Sequence, residues 1–268
     1  MPALAAASAL TSAQLAAYHR DGYYIARGLF SPAEVFELTD HYMRMHAARQ
    51  LKNYTHTSWE EAGGDILKVY TRVMHPHRWD TLALKWLLDE RVADVLRALL
   101  DEDPIATQSM FYYKPPGAKG QAFHQDNFYL RVRPKSCIAA WTALDRSDLE
   151  NGGLQVCPGT HTMEVACPEE ANADESFSTH LVRPPEGHTP VPVILEPGDV
   201  LFFNGSVVHG STPNRSATRW RRSYICHYAP ESCHEMSKWY FPILDMQGRE
   251  VVRGETADGG PCGTEFKK

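Results

Sequence analysis

The pattern of apolar and polar positions changes near residue 105. Before that point, apolar residues recur every three or four positions, a spacing typical of amphipathic helices. Three helices are predicted in this part, with bounds near Ser12–Asp21, Pro32–Gln50 and Trp79–Asp101. Thr11 and Ser31 stand before the first two as N-caps, because their hydroxyl groups can accept hydrogen bonds from free backbone amides. The first hundred residues are therefore expected to be mainly helical.

The segments between these helices are predicted to be strands or loops. Tyr23–Ile25 and Asp65–Met74 have the alternation of short strands, whereas Asn53–Gly64 is polar, ends in two glycines and is expected to be a loop.

After residue 105 the chain consists of short runs rich in β-branched and aromatic residues, divided by Gly, Pro and Asn. Many short strands of this kind favour a sandwich or a barrel. The predicted strands are Thr107–Lys114, Phe128–Val132, Cys137–Leu144, Leu154–Val156, Val191–Leu195, Val200–Phe203 and Trp220–Tyr228. Pro168–Pro192, rich in Pro, Glu, Asp and Ser, is expected to be a mobile insertion over the barrel.

A chain of 268 residues fits one domain. We expect residues 1–104 to form its mainly helical part and residues 105–230 its β core, with the insertion at about 168–192. Residues 231–268 would form a C-terminal extension.

Composition excludes several classes of protein. With 43% hydrophobic and 22% charged residues, the chain resembles an ordinary globular protein. A net charge of −6 provides no basic field for nucleic acid. No run approaches the roughly 20 apolar residues of a membrane helix, and the opening MPALAAASAL lacks the positive start of a secretory signal. The six cysteines show no metal-binding spacing, which favours free thiols in the cytoplasm.

The most informative motif is His124-Gln125-Asp126. On a strand, residues i and i+2 project to the same side, so this histidine and this aspartate can converge on one ion. An oxygen-activating iron takes two imidazoles and one carboxylate and keeps its other positions open. A second match, His19-Arg20-Asp21, falls at the end of a predicted helix, where residues i and i+2 point roughly 200° apart and cannot share a metal.

The downstream sequence strengthens the first match. A turn at Pro197-Gly198-Asp199 leads into a predicted strand. This strand is followed by His209-Gly210-Ser211 and then by Trp220-Arg221-Arg222-Ser223-Tyr224. Here the chain resembles the phytanoyl-CoA dioxygenase family. The resemblance extends to three segments that are expected to be scaffold, namely Leu15–Tyr23, Glu150–Leu154 and Pro158–His161.

The resemblance implies a mainly β (α+β) fold: a double-stranded β-helix, or cupin-like jelly roll, with N-terminal helices packed on one sheet. It implies that His209 is the third ligand of Fe(II) and that Arg221 binds the far carboxylate of the cosubstrate 2-oxoglutarate. Ser211 would assist that carboxylate, and Gln108 and Trp141 would flank the cosubstrate. A guanidinium suits this role on physical grounds too, because it stays ionised and binds a carboxylate bidentately.

Some alternatives stay open. Arg222 competes with Arg221, although neighbouring strand residues face opposite sides and only one can be correct. His161 and His227 are alternative metal ligands. His75 and His77 flank Pro76, which breaks a strand, so a solvated turn is expected there rather than a metal pair.

The resemblance also implies the reaction. With Fe(II), 2-oxoglutarate and O2, the default outcome is hydroxylation, while cyclisation or desaturation would use the same residues. Because Asp126 retains its carboxylate, the chain is not expected to be a halogenase. The expected partner is a small or medium-sized polar metabolite, including natural-product intermediates, and the sequence does not indicate an oligomeric state.

Substrate identity is expected to depend on aromatic and polar residues of the pocket wall. The candidates are Tyr70, Arg72, Tyr112, Asn127, Tyr129, Trp239 and Tyr240. Two other functions compete with the oxygenase: a non-catalytic cupin-like module that binds metal or sugar, and a zinc-dependent hydrolase or isomerase on the same barrel.

Overall fold

The computed structural model of the protein describes residues 10–257. Most of the opening segment considered as a secretory signal, and Cys262, lie outside the described residues.

The helices precede or interrupt the strands, and most of them begin at a side-chain cap. Thr11, Ser31 and Ser58 each accept a hydrogen bond from the amide three residues on, and that residue's side chain accepts one from the cap's amide. Within residues 10–257 the α-helices are α1 (Ser12–Asp21), α2 (Pro32–Ala47), α3 (Trp59–Ala62), α4 (Ile66–Val69), α5 (Thr81–Leu87), α6 (Glu90–Leu100) and α7 (Asn127–Leu130). Pro76–Arg78, Thr160–Thr162 and Lys238–Tyr240 are short 3₁₀ helices.

The strands are short, as their turn-rich sequence indicates. Those in the N-terminal half are β1 (Tyr23–Ala26), β2 (Val73–Met74), β3 (Pro104–Tyr112), β4 (Gln121–His124), β5 (Ile138–Ala143) and β6 (Leu154–Val156). They are followed by β7 (Glu169–Glu170), β8 (His180–Leu181), β9 (Val191–Pro192), β10 (Val200–Asn204), β11 (His209–Ser211) and β12 (Ser223–Pro230). The last are β13 (Glu235–Met236), β14 (Ile243–Leu244), β15 (Glu250–Val251) and β16 (Gly254–Glu255).

Two antiparallel sheets form a jelly roll. The larger sheet has the order β1-β10-β5-β12-β3-β14-β15, with β2 beside β3, and the smaller has the order β4-β11-β6-β9. This architecture is the mainly β jelly roll that the resemblance implies, and the N-terminal helices cover one face of the larger sheet.

Alternation along the central strands separates two apolar cores. On β12, Tyr224, Cys226 and Tyr228 pack against the helices, whereas Ile225 packs between the sheets. The hydroxyl groups of Tyr224 and Tyr228 donate to the carbonyl groups of Ala83 and Leu87, both at 2.7 Å. The helical layer is thus held by apolar burial and by hydrogen bonds to carbonyl groups of α5.

Two predicted strands are wrong. In the segment expected to be one strand from Asp65 to Met74, the Asp65 side chain caps the helical turn α4 and only β2 is extended. Phe128–Val132 contains α7 instead of a strand, because the Asn127 side chain accepts a hydrogen bond from the Val132 amide at 2.9 Å and closes the turn.

Other predicted bounds are shifted. The expected helix Trp79–Asp101 is divided into α5 and α6, since Asp89 caps a new helix. The expected loop Asn53–Gly64 contains α3, and α2 ends before Gln50.

The cysteines differ from one another. Cys137, Cys157, Cys226 and Cys233 are buried free thiols, but Cys167 is disulfide-bonded, so the expectation of free thiols throughout is wrong. No helix within residues 10–257 combines the length and apolar character needed to cross a bilayer.

Candidate active site

Two histidines meet across a pair of strands. His124 ends β4 and lies directly opposite His209, which begins β11. Asp126 lies just beyond β4, and its carboxylate oxygens are 3.4 Å from His124 Nε2 and 3.7 Å from His209 Nε2. One ligand atom from each of the three residues lies within 4.8 Å of the others. All three side chains are buried.

The convergence of His124 and Asp126 has a different origin from the one the sequence suggested. Asp126 is not part of the strand: its backbone is in the right-handed helical conformation at the start of α7. The chain therefore turns sharply after His124, and this turn brings the carboxylate beside the imidazoles.

Backbone carbonyl groups orient both rings. His124 Nδ1 lies 2.9 Å from the Ala122 oxygen, and His209 Nδ1 lies 3.0 Å from the Val207 oxygen. A proton on each Nδ1 makes that bond and leaves the Nε2 lone pair free to bind a metal. Burial lowers the pKa of His209 to about 4, which keeps this ring neutral. Two imidazoles and a carboxylate placed together fit Fe(II).

Asp126 also contacts His227, which the sequence suggested only as an alternative metal ligand. His227 Nε2 lies 3.0 Å from Asp126 Oδ2. Burial opposes ionisation of Asp126, but the imidazoles of His209 and His227 outweigh it, so that the pKa of this carboxyl is well below its usual range. His227 lies beside the site as a hydrogen-bonding neighbour of Asp126.

A cavity of about 490 Å³ opens in front of these residues. Seven of the predicted cosubstrate and substrate residues line it: Gln108, Trp141, Ser211, Arg72, Tyr112, Tyr129 and Tyr240. Four candidates are placed elsewhere. Tyr70 and Arg221 line a second cavity of about 200 Å³, Asn127 is used in the turn after α7, and the Trp239 side chain is largely exposed.

The structure distinguishes Arg221 from Arg222. The Arg222 guanidinium donates two hydrogen bonds to the Asp145 carboxylate, at 2.8 and 2.7 Å. Arg221 is buried, lies 5.1 Å from the centre of the Trp141 ring, and donates to Ser223 Oγ and the Gly152 carbonyl oxygen. Within residues 10–257 no carboxylate pairs with Arg221, and burial lowers its pKa to about 10.

Lys114 is a site residue that sequence reasoning missed. It is buried, and its Nζ donates to Ser211 Oγ at 3.0 Å and to the Thr212 carbonyl oxygen at 2.7 Å. Burial, and then the nearby Arg221 charge, lower the pKa of Lys114 well below its usual range. Two cations thus lie close together with no acidic partner among the described residues, an arrangement that favours a bound anion.

His161, His75 and His77 are not part of the metal cluster. His161 contacts the His19 carbonyl oxygen at 3.1 Å, and Asp21 pairs with Arg20. The expectation of a solvated turn at His75 and His77 is wrong for His77, which is buried and lies 2.6 Å from Ser109 Oγ.

The insertion forms part of the cavity wall. Phe177 and His180 line the cavity. Hydrogen bonds between Phe177 N and Gly120 O and between Val182 N and Phe123 O join the insertion to β4 and to the residue before it, at 3.0 and 2.7 Å.

Comparison with known proteins agrees with this geometry. Residues 18–223 match the family model described as phytanoyl-CoA dioxygenase (PhyH). The chain therefore belongs to the phytanoyl-CoA dioxygenase family, whose members are Fe(II)- and 2-oxoglutarate-dependent dioxygenases. The bovine peroxisomal phytanoyl-CoA dioxygenase is 25% identical over 258 residues, which cover 90% of this chain and 73% of that protein. Five further curated relatives are matched over 40 to 57% of their own length.

Solved structures share the fold. EctD from S. alaskensis, solved with 2-oxoglutarate and 5-hydroxyectoine, has a TM-score of 0.70 at 22% identity, covering 92% of this chain and 86% of EctD. The epimerase SnoN, solved with Fe³⁺, alpha ketoglutarate and nogalamycin RO, has a TM-score of 0.65 at 20% identity and covers 92% and 95% of the two chains.

Proposed function

We propose that this chain oxidises a small or medium-sized metabolite with Fe(II), 2-oxoglutarate and O2, by hydroxylation as the default outcome. The observation that carries this proposal is the cluster of His124, Asp126 and His209 at a cavity, with both imidazoles oriented by backbone carbonyl groups. When bound, the iron supplies oxygen activation coupled to the decarboxylation of 2-oxoglutarate.

The remaining residues have separate tasks. Arg221 would neutralise the far carboxylate of 2-oxoglutarate, and Lys114 and Ser211 would donate hydrogen bonds to it. Trp141 and Gln108 border the cosubstrate. His227 holds the Asp126 carboxylate in place, since a buried carboxylate with a fixed hydrogen-bond donor keeps one orientation. The Asp126 carboxylate also occupies the place that a halide would need.

We also propose the wider setting. Residues 1–268 form a single oxygenase domain, in which residues 1–104, 105–230 and 231–268 are the helical part, the core and the extension. The partner is a small molecule rather than nucleic acid or a membrane. The location is the cytoplasm, which agrees with the four buried free thiols. The disulfide of Cys167 is the observation against it, and cell fractionation is the test.

The test is anaerobic addition of Fe(II) and 2-oxoglutarate to the purified protein. A weak visible charge-transfer band is expected from the chelate, and it should disappear in His209→Ala and Arg221→Ala. His161→Ala is the matched control, because this histidine bonds to a backbone carbonyl away from the cluster and its loss should leave the band unchanged.

The outcomes separate the competing functions. A folded, iron-loaded protein without the band would contradict the oxygenase proposal. Retained ligand binding in Arg221→Ala would instead favour a cupin-like binding module. Tight binding of zinc with turnover that needs no 2-oxoglutarate would favour a hydrolase or isomerase.

A further inference from the structure

Among residues 10–257, Arg72 differs from most other arginines in lacking a carboxylate partner. Arg91, Arg97, Arg219 and Arg222, for example, all pair with aspartate or glutamate. Within residues 10–257, Arg72 donates one hydrogen bond, to the Tyr112 hydroxyl group at 3.1 Å, and makes no ion pair. It lines the cavity in front of the metal cluster and is exposed, so its guanidinium lies where the cavity meets solvent.

Two aromatic rings hold this guanidinium. Its carbon lies 5.6 Å from the centre of the Phe177 ring and 6.0 Å from that of Tyr112. Rings at these distances attract a cation and restrict the orientation of its plane. Phe177 belongs to the insertion and Tyr112 to β3, so two separate parts of the chain position Arg72.

The charges around the cavity favour an anion beside Arg72. Among the described residues that line it, Asp126 is the only carboxylate, and Asp126 belongs to the metal cluster. Met74, Tyr129 and Tyr240 contribute apolar and aromatic surface to the same cavity, and Ser178, Thr179 and His180 contribute polar groups. Arg72 also lines the second cavity, together with Lys119 and Arg221. The far carboxylate of 2-oxoglutarate is already matched by Arg221 and Lys114, so Arg72 is available to another ligand.

We propose that the substrate is a carboxylic acid with a compact apolar or aromatic body, and that its carboxylate binds Arg72 bidentately. This inference rests on the proposed function, since it concerns the substrate of the same site. A carboxylate fits better than a phosphate monoester, because Arg72 is the only arginine or lysine among the described residues that line the cavity in front of the metal cluster, and one guanidinium matches one negative charge. Binding there would fix the acid group at the rim and direct the body of the molecule toward the metal cluster.

The test compares acids with neutral analogues of nearly the same shape. Phenylacetate, cinnamate and octanoate, each paired with its primary amide, are titrated calorimetrically into anaerobic protein loaded with Fe(II) and 2-oxoglutarate. The best acid should bind about ten- to a hundredfold more tightly than its amide. The preference should vanish in Arg72→Gln, and Arg72→Lys should retain part of it. Arg183→Gln, which removes an exposed arginine paired with Glu169, is the matched control.

The charge-transfer band is recorded before any acid is added. Its absence in the wild-type protein would count against the proposed function, whereas its presence with no acid preferred, or with no probe bound, would overturn the carboxylic-acid proposal alone. The proposal is also overturned if the preference persists in Arg72→Gln, or if phenyl phosphate binds more tightly than the acids. Loss of the band in Arg72→Gln would show that Arg72 binds the cosubstrate, which likewise contradicts it.

Discussion

The buried Lys114 ammonium group has no acidic partner within the described residues. We expect it to bind the far carboxylate of 2-oxoglutarate together with Arg221. Lys114→Met removes one charge-assisted hydrogen bond to the far carboxylate, so the dissociation constant of 2-oxoglutarate should rise about tenfold or more. The measurement is a titration of the visible band with 2-oxoglutarate. Lys135→Met removes an exposed lysine and should leave the constant unchanged; an unchanged constant in Lys114→Met would remove Lys114 from the cosubstrate site.

His227 is expected to matter for metal affinity rather than for cosubstrate affinity. Its Nε2 is 3.0 Å from Asp126 Oδ2, and loss of a hydrogen bond to a metal-binding carboxylate typically lowers metal affinity by about 10- to 100-fold. We expect this loss in His227→Leu and partial rescue in His227→Gln, whose amide can still donate. Titration with Co(II) measures it, and equal affinities in all three proteins would contradict the role.

The residues of the site can be predicted from the sequence to an uneven degree. The grouping of His124, Asp126 and His209 is predictable because His-x-Asp is a recognisable motif and the family resemblance supplies the second histidine; their role as iron ligands stays a prediction. Lys114 was missed because nothing in Tyr-Tyr-Lys-Pro-Pro marks a buried cation. Its partners, Ser211 and Thr212, are almost a hundred positions away, and only the folded chain places them beside it.

At the scale of elements, the turn into β10 depends on Gly198. Its φ is +92°, and a Cβ atom there would lie 2.1 Å from the Phe30 carbonyl oxygen. Gly198→Ala should therefore lower the free energy of unfolding by about 3 kcal/mol or more, from backbone strain together with overlap. Gly187→Ala is the control: φ is +84° but no atom lies within 4 Å, so about 1–2 kcal/mol is expected. Denaturant unfolding measures both, and equal losses would contradict the overlap.

The contact between α2 and α6 should make stability depend on pH. The Arg91 guanidinium bonds to the Glu34 carboxylate at 2.7 Å and lowers the pKa of Glu34 to about 2. A carboxyl with a lowered pKa stabilises the fold above its ordinary pKa of 4.5 and loses this effect as the pH falls toward 2. Glu34→Gln should therefore cost about 1–2 kcal/mol at neutral pH, allowing for solvent screening.

Denaturant unfolding of wild type and Glu34→Gln across this range checks the sign. The difference between the two proteins should shrink steadily below pH 4.5. A difference that stays constant down to pH 3 would mean that Glu34 acts through packing or as a helix cap rather than through its charge.

Element types were predicted well where local signals were strong. The helix α1 begins after the cap at Thr11 and ends at Asp21, as predicted. The errors at Asp65–Met74 and Phe128–Val132 have one cause: aromatic and β-branched residues also occupy single helical turns, and the capping contacts of Asp65 and Asn127 determine the outcome. Such short turns are too brief for periodicity to distinguish them from strands.

At the scale of the whole molecule, the jelly roll was predictable because many short strands separated by turns admit few architectures. The pairing of the strands was not, since β10 and β12 both flank β5 across long stretches of sequence. Register depends on these distant partners. This register places His209 opposite His124. The sequence could therefore indicate which residues form the site, but only the folded structure gives the distances between them.

Ligand binding should raise the stability of the whole protein. Ligands that bind only the folded state add about 2.7 kcal/mol at a hundredfold excess over their dissociation constants. Fe(II) and 2-oxoglutarate together should therefore raise the melting temperature, and chelation of the metal should reverse the rise. In Arg221→Ala the increment from the metal should remain and the increment from 2-oxoglutarate should be lost. Equal increments in both proteins would contradict the role of Arg221.

The position of His124 directly opposite His209 has a topological consequence. A metal bound by both would join two points of the chain and close the segment between residues 124 and 209 into a ring, as a removable crosslink does. Such a closure reduces the freedom of the open chain more when the enclosed segment is long. The insertion lies inside this ring, whereas α1 to α6 lie outside it. Removing the metal should therefore loosen the insertion and its neighbouring strands before it loosens the helical layer.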